Sequence, residues 1–289
     1  MSKRIFTMCP EFEDIMPAEY RQLVEMGPYG KGYGVADLGG FKELIEEHPL
    51  CAGCGLALSL RQVLASLPAP EDTVIVGSTG CSSLLFPQVA IQNIHSLFGN
   101  QNAVATGLKK ALEIRFPDKT KDVVVIAGDG ATADIGLDMV IHSWFRRERI
   151  TTIMLDNEAY ANTGGQESGM SVEKQVLYMA PRGKKFPKIS LPVIAREAGC
   201  EYVATLSPAY PKRIQNGVRK AVFTAREIGP SYLQIYCPCP TNYKFSSRET
   251  AALAKSREKD GTYPMTEYVS ENAQAFLDRM KEEDHEQRD

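Results

Sequence analysis

Residues 122–166, DVVVIAGDGATADIGLDMVIHSWFRRERITTIMLDNEAYANTGGQ, leave this chain few folds to choose from. The stretch opens on a β-branched run, residues 123–126, that reads as a strand buried on both faces. Gly128-Asp129-Gly130 ends the strand, and a helical pattern follows in which Ile135, Met139, Ile141 and Trp144 recur at roughly helical spacing. A second apolar run, 151–155, stops at Asp156-Asn157-Glu158. Strand, helix and strand, with polar residues at both carboxyl ends, form a βαβ unit, and open α/β sheets place their ligands at such ends.

Further elements of the same kind flank it. A helical run at 56–67 precedes a strand at 73–76, a helix is expected over 103–114, and 192–198 and 202–205 read as helix and strand. Residues 211–228 form an amphipathic helix with Ile214, Val218, Val222 and Ala225 on one face, followed by a strand at 232–236. The expected fold is therefore α/β, a mostly parallel sheet flanked by helices in one main domain. Three segments divide the chain: an N-terminal extension at 1–47, suited to partner contact; the main domain at 48–245; and a charged helical extension at 246–289, two helices around a turn at 261–264. Residues 168–188, poor in apolar residues, read as a long surface loop of the kind that forms lids or interfaces.

The chain has 289 residues and seven cysteines, an odd count that argues against a disulfide framework and for metal ligation or redox work. Cys51-Ala52-Gly53-Cys54 lies at a loop-to-helix junction, where a CxxC is compatible with a redox pair, half a zinc site or half an iron–sulfur site. Cys81 follows a strand in a glycine-rich loop, and Cys237 and Cys239 follow another strand, so these thiols fall at the sheet edge that carries the GDG and DNE loops. One CxxC joined by two distant loops favours iron–sulfur over zinc, which usually pairs two such knuckles. A net charge of −3 leaves no electrostatic footprint for nucleic acid, no apolar run reaches membrane-spanning length, and the N-terminus lacks a signal-peptide pattern; the expected location is cytoplasmic.

At the strand ends, Gly128 and Gly130 allow close backbone approach to a ligand, Asp129 is a hard anionic donor and Asn157 a neutral amide oxygen. Carboxylate and amide oxygens completed by phosphates are how Mg²⁺ is usually held. The GDG loop followed by DNEAYANTGG resembles the diphosphate-binding motif of thiamine diphosphate enzymes. HPLCAGCG, GSTGCSS, GDG, DNEAYANTGGQ and CPCPTNY, in that order, resemble the β (thiamine diphosphate-binding) subunit of 2-oxoacid:acceptor (ferredoxin) oxidoreductases, the pyruvate:ferredoxin type above all.

That resemblance implies a set of roles. Asp129, Asn157 and the Ala159 carbonyl would ligate Mg²⁺; Gly128, Gly130 and Asn162 would meet the diphosphate. Cys51, Cys54, Cys81 and Cys239 would hold a [4Fe-4S] cluster near the thiazolium ring, with Cys239 preferred to Cys237 because Pro240-Thr241-Asn242 suits the family pattern after the fourth ligand. Cys54 and His95 are further candidates for cofactor contact. The implied reaction is oxidative decarboxylation of a 2-oxoacid with coenzyme A to acyl-CoA and CO₂, with electrons passed through the cluster to ferredoxin or an NAD-linked subunit. An α, pyrimidine-side subunit is expected to bring the activating Glu, alongside γ and ferredoxin-type δ subunits. Pyruvate is the default substrate; similar subunits also take aryl 2-oxoacids such as phenylglyoxylate. Two other readings stay open on the residues alone: a non-redox thiamine diphosphate-dependent decarboxylase subunit, and a zinc-stabilised scaffold.

Overall fold

A computed structural model describes residues 48–286 of the chain. The anticipated extension at 1–47, and the charged tail beyond 286, lie outside the described residues. The frame is a seven-stranded sheet of β1 (Thr73–Ser78), β2 (Asn93–Ser96), β3 (Asp122–Gly128), β4 (Thr151–Asp156), β5 (Tyr202–Leu206), β6 (Ser231–Tyr236) and β7 (Glu267–Val269). Their spatial order is β2-β1-β3-β4-β6-β5-β7. Every pairing is parallel except that of β7 with β5.

Alternation along the strands sorts side chains to two helical layers. Val124 and Ile126 of β3 pack with Leu60 and Leu64 of α1 (Gly55–Leu64), and with Ile214, Val218 and Val222 of the amphipathic helix. Val123, Val125 and Ala127 face Ala105 and Leu112 of α2 (Gln101–Arg115). On that second face Val140 and Trp144 of α3 (Leu137–Phe145) meet Leu191 and Ala195 of α4 (Leu191–Glu197). The amphipathic helix is α5 (Pro211–Glu227), and Ile214, Val218, Val222 and Ala225 are buried as its spacing predicts.

Four differences from the sequence reading have physical causes. His95 lies on β2, a strand absent from the expected elements; it is a short edge strand whose middle residues are exposed, so it carries no apolar run to announce it. Ile135 and Met139 are 60% and 41% exposed, because the chain leaves β3 through a π turn (Gly130–Asp134) in which the Ile135 N–H donates to the Gly130 carbonyl. The residue inserted there rotates the helix that follows, turning Val140 inward beside Trp144, the one residue of that pattern that is fully buried. Residues 168–188 are not merely a surface loop: Ser168, Met170, Ser171, Leu177 and Lys184 are buried, and the Lys184 ammonium donates to the Gly169 and Ser171 carbonyls at 2.8 Å each.

Finally, the C-terminal segment holds a strand as well as helices. After the single-turn α6 (Pro240–Tyr243) and α7 (Thr250–Lys259), Tyr263 is buried against Tyr236 with ring centroids 4.6 Å apart. β7 then pairs with β5 ahead of α8 (Glu271–Glu286). Only three residues long and partly exposed, β7 shows no period that could reveal it.

Candidate active site

The carboxyl ends of β1, β3, β4 and β6 open onto two adjoining cavities. The larger, about 290 Å³, is lined by Gly128, Asp129 and Gly130 after β3, by Asn157, Ala159 and Asn162 after β4, and by Thr79, Gly80 and Cys81 after β1. Phe98 and Tyr160 wall it, their ring centroids 6.2 Å apart. A Cβ built on Gly128 or Gly80 would project into open space, whereas one on Gly130 would come 2.4 Å from the Tyr160 ring. Backbone is thus bared to the cavity at Gly128, and glycine at 130 is demanded by packing.

Asp129 is 3% exposed, and the Ser168 hydroxyl donates to its Oδ2 at 2.6 Å. Burial first, and then the neighbouring Asp156, push its carboxyl well above the usual carboxylate range. The Asn157 side-chain oxygen accepts from the Ala159 N–H at 3.2 Å, an Asx turn that holds the amide in place. Behind it lies a charged support. Lys188 Nζ donates to Asp156 Oδ2 at 2.9 Å and to Glu158 Oε1 at 2.8 Å, and Tyr243 donates to the Asn157 carbonyl at 3.0 Å. Gln234 and Tyr263 also donate to Asp156. Burial draws the Lys188 ammonium down, but its two carboxylates more than offset that and leave it above its ordinary value. These contacts hold Glu158 in a left-handed conformation, φ 58°, that few non-glycine residues adopt.

The second cavity, about 180 Å³, is lined by Cys51, Cys54, Cys81, Cys237 and Cys239. It shares Leu56, Cys81, Asn157, Ala161 and Asn162 with the first. Cys54 caps α1, and its sulfur lies against the first amides of that helix, Leu56 and Ala57; Cys239 caps α6 and faces the amides of Thr241 and Asn242. The Cys81 thiol is pushed up to about 12 by burial, and then by Cys54, Cys239, Cys51 and Asp129. Cys237 differs: it is fully buried in the core and directs its thiol to Ser59 Oγ and the Ile235 carbonyl, both at 3.3 Å. None of the described cysteines is in a disulfide, and no three His, Cys, Asp or Glu side chains among the described residues form a ready metal-ligand set.

Of the residues singled out in the sequence, Gly128, Asp129, Gly130, Asn157, Ala159 and Asn162 meet in the first cavity, and Cys51, Cys54, Cys81 and Cys239 in the second. His95 is exposed on β2; its Nε2 is 3.1 Å from Thr79 Oγ1, and Thr79, not His95, lines the cavity. The sequence reading missed Ser168, Lys188, Phe98 and Tyr160 as site residues. Tyr160 sits inside the DNEAYANTGGQ motif and was within reach, whereas Phe98, Ser168 and Lys188 join the site only through tertiary structure.

Residues 78–235 match the family described as thiamine pyrophosphate enzyme, C-terminal TPP binding domain. The chain belongs to that family. Among relatives of this thiamine pyrophosphate enzyme, pyruvate synthase subunit PorB of Methanothermobacter thermautotrophicus is 37% identical over 230 residues, 76% of this chain and 78% of that one. Ketoisovalerate oxidoreductase subunit VorB of Pyrococcus abyssi is 31% identical over 252 residues, 82% of this chain and 79% of its own. A solved 2-oxoglutarate:ferredoxin oxidoreductase from Magnetococcus marinus, with 2-oxoglutarate, coenzyme A and succinyl-CoA bound, superposes with a TM-score of 0.60 at 28% identity, over 70% of this chain and 68% of that one. No helix among the described residues is long and apolar enough to cross a membrane.

Proposed function

We propose that this thiamine pyrophosphate enzyme is the β subunit of a 2-oxoacid:ferredoxin oxidoreductase complex that converts a 2-oxoacid and coenzyme A to acyl-CoA and CO₂. The observation that carries the reading is the wall shared by the two cavities. A decarboxylase without redox chemistry has no use for four cysteines one side chain away from its thiamine site, and a scaffold has no use for a bared diphosphate loop. The names of PorB, VorB and the structural neighbour support the same class.

The donor set fits the groups this implies. Asp129, the Asn157 amide oxygen and the Ala159 carbonyl are hard oxygen donors of the kind Mg²⁺ takes, and a carboxylate as dehydrated as Asp129 is stabilised by a nearby divalent cation. The open space at Gly128 gives room for a diphosphate at backbone contact, with Asn162 beside it. Cys51, Cys54, Cys81 and Cys239 fit a [4Fe-4S] cluster: four thiols line one small cavity. The cofactors supply the hard chemistry, a carbanion equivalent that attacks the 2-oxo carbon and an acceptor for single electrons.

The chain's own residues do the rest. Ser168 fixes the Asp129 carboxylate, Tyr243 and Lys188 fix the Asn157 loop, and Phe98 and Tyr160 keep water off one wall. An α-type partner would add the activating Glu, and γ and ferredoxin-type δ subunits would carry electrons to ferredoxin or an NAD-linked acceptor. We assign residues 48–245 to the cofactor-binding domain, 1–47 to partner contact, and 246–289 to a charged helical extension. The test is the anaerobically purified complex, assayed with a panel of 2-oxoacids, coenzyme A and a redox dye. A brown protein that is bleached by dithionite and reduces the dye only with a 2-oxoacid and coenzyme A is expected. A colourless protein with stoichiometric zinc, or one that releases CO₂ without reducing the dye, would overturn the reading.

A further inference from the structure

Thr241 stands at the lip of the cysteine cavity, with its Oγ1 3.5 Å from Cys51 Sγ. A hydroxyl at that distance from sulfur is a hydrogen-bond donor to it. Its position is built rather than incidental. Pro240 opens α6, Cys239 caps it, and the Tyr243 N–H donates to the Cys239 carbonyl at 3.0 Å, so the first turn that carries Thr241 is closed on a cysteine.

The other donors facing these sulfurs are main-chain amides: Leu56 and Ala57 toward Cys54, and Thr241 and Asn242 toward Cys239. No ordinary substitution removes an amide, but the Thr241 hydroxyl can be changed without disturbing the fold, since the side chain is exposed.

We propose that Thr241 tunes the redox potential of the cluster held by Cys51, Cys54, Cys81 and Cys239, its hydroxyl donating to ligand sulfur; this rests on the iron–sulfur reading of that cavity. Reduction of a [4Fe-4S]²⁺ cluster to the 1+ state adds one electron, and the added negative charge is shared with the ligand sulfurs. A donor aimed at sulfur stabilises the more negative state and raises the potential. Cys51 is the exposed cysteine of the set, so Thr241 acts on the side of the cluster that faces outward. Thr241 is a positioning residue in this role, because it acts through Cys51 and touches no substrate.

The experiment is an electron paramagnetic resonance-monitored redox titration of the anaerobic holo-complex, with dithionite as the one-electron donor and mediator dyes, on wild type, Thr241→Val, Thr241→Ala and Thr241→Ser. Valine has the shape of threonine and leaves no room for a water to replace the hydroxyl. The expected result is a more negative midpoint in Thr241→Val with iron content unchanged, and a wild-type midpoint in Thr241→Ser. An unchanged or more positive midpoint in Thr241→Val would overturn the inference while leaving the cluster assignment intact. Loss of the cluster from both Thr241→Val and Thr241→Ala would also overturn it, since the hydroxyl would then serve assembly and not potential. Absence of iron from the wild-type complex would remove the iron–sulfur reading itself, and the inference with it.

Discussion

At Asp129 a carboxylate is taken out of water while one of its oxygens is committed to a single hydroxyl, that of Ser168. Asp129→Ala removes the charged member of the proposed metal donor set, and the purified complex is expected to lose bound thiamine diphosphate while keeping the iron of the proposed cluster. Wild-type occupancy of thiamine diphosphate, measured by fluorescence after conversion to thiochrome, would contradict the assignment. Ser168→Ala leaves the carboxylate but frees its orientation, so Mg²⁺-thiamine diphosphate should bind on the order of ten- to a hundredfold more weakly, as isothermal titration would show. Asp129 was legible in the sequence because two glycines frame it after a β-branched strand. Ser168 was not, since it lies thirty-nine residues away and no local pattern joins it to Asp129. The two late cysteines make a similar contrast. Standing two apart, they share a face on any regular strand, so spacing could not choose between them. Cys237 spends its thiol on Ser59 and Ile235 within the core, and Cys239 is the one we propose as the fourth ligand. Cys239→Ser is expected to lose or degrade the cluster signal of the reduced protein and Cys237→Ser to keep it, and the opposite pair of spectra would reverse the choice.

Among the elements, the CxxC knuckle depends on a segment far along the chain. Gly53 has φ +72°, and a Cβ there would lie 2.3 Å from the Ser247 carbonyl oxygen, while the Thr250 hydroxyl donates to the Gly53 carbonyl. Gly53→Ala therefore meets both backbone strain and a collision, with a cost of about 1–3 kcal/mol. It should lower the thermal midpoint and the iron content of the complex together; a drop in neither would show that the knuckle is free of its clamp. The central strands were readable because burial on both faces writes an unbroken apolar run, as in β3 and β4. Edge strands β2 and β7 write no such run. The phase of α3 was misread for another reason: a π turn inserts a residue that no hydrophobic period records, and Ile135 and Met139 went outward with it.

For the molecule as a whole, the described residues make one sheet with one ligand edge, which carries the loops of the diphosphate half of a thiamine site and the adjoining cysteine cavity. The chain expressed alone, with iron supplied and air excluded, should therefore show no 2-oxoacid-dependent dye reduction, and co-expression with the α and acceptor-reducing partners should restore it. Turnover by the isolated chain at the rate of the complex would contradict the split site. The cysteine cavity itself closes over long chain separations, 190 residues between Cys51 and Thr241 and 197 between Gly53 and Thr250. A ribosome adding about 5–20 residues per second spends roughly 10–40 s between delivering the first thiols and delivering the clamp that finishes their loop. During that interval the early cysteines are open to oxygen and to stray zinc with no pocket to exclude either. On the proposed iron–sulfur reading, loading of the cavity belongs after translation, on a folded subunit.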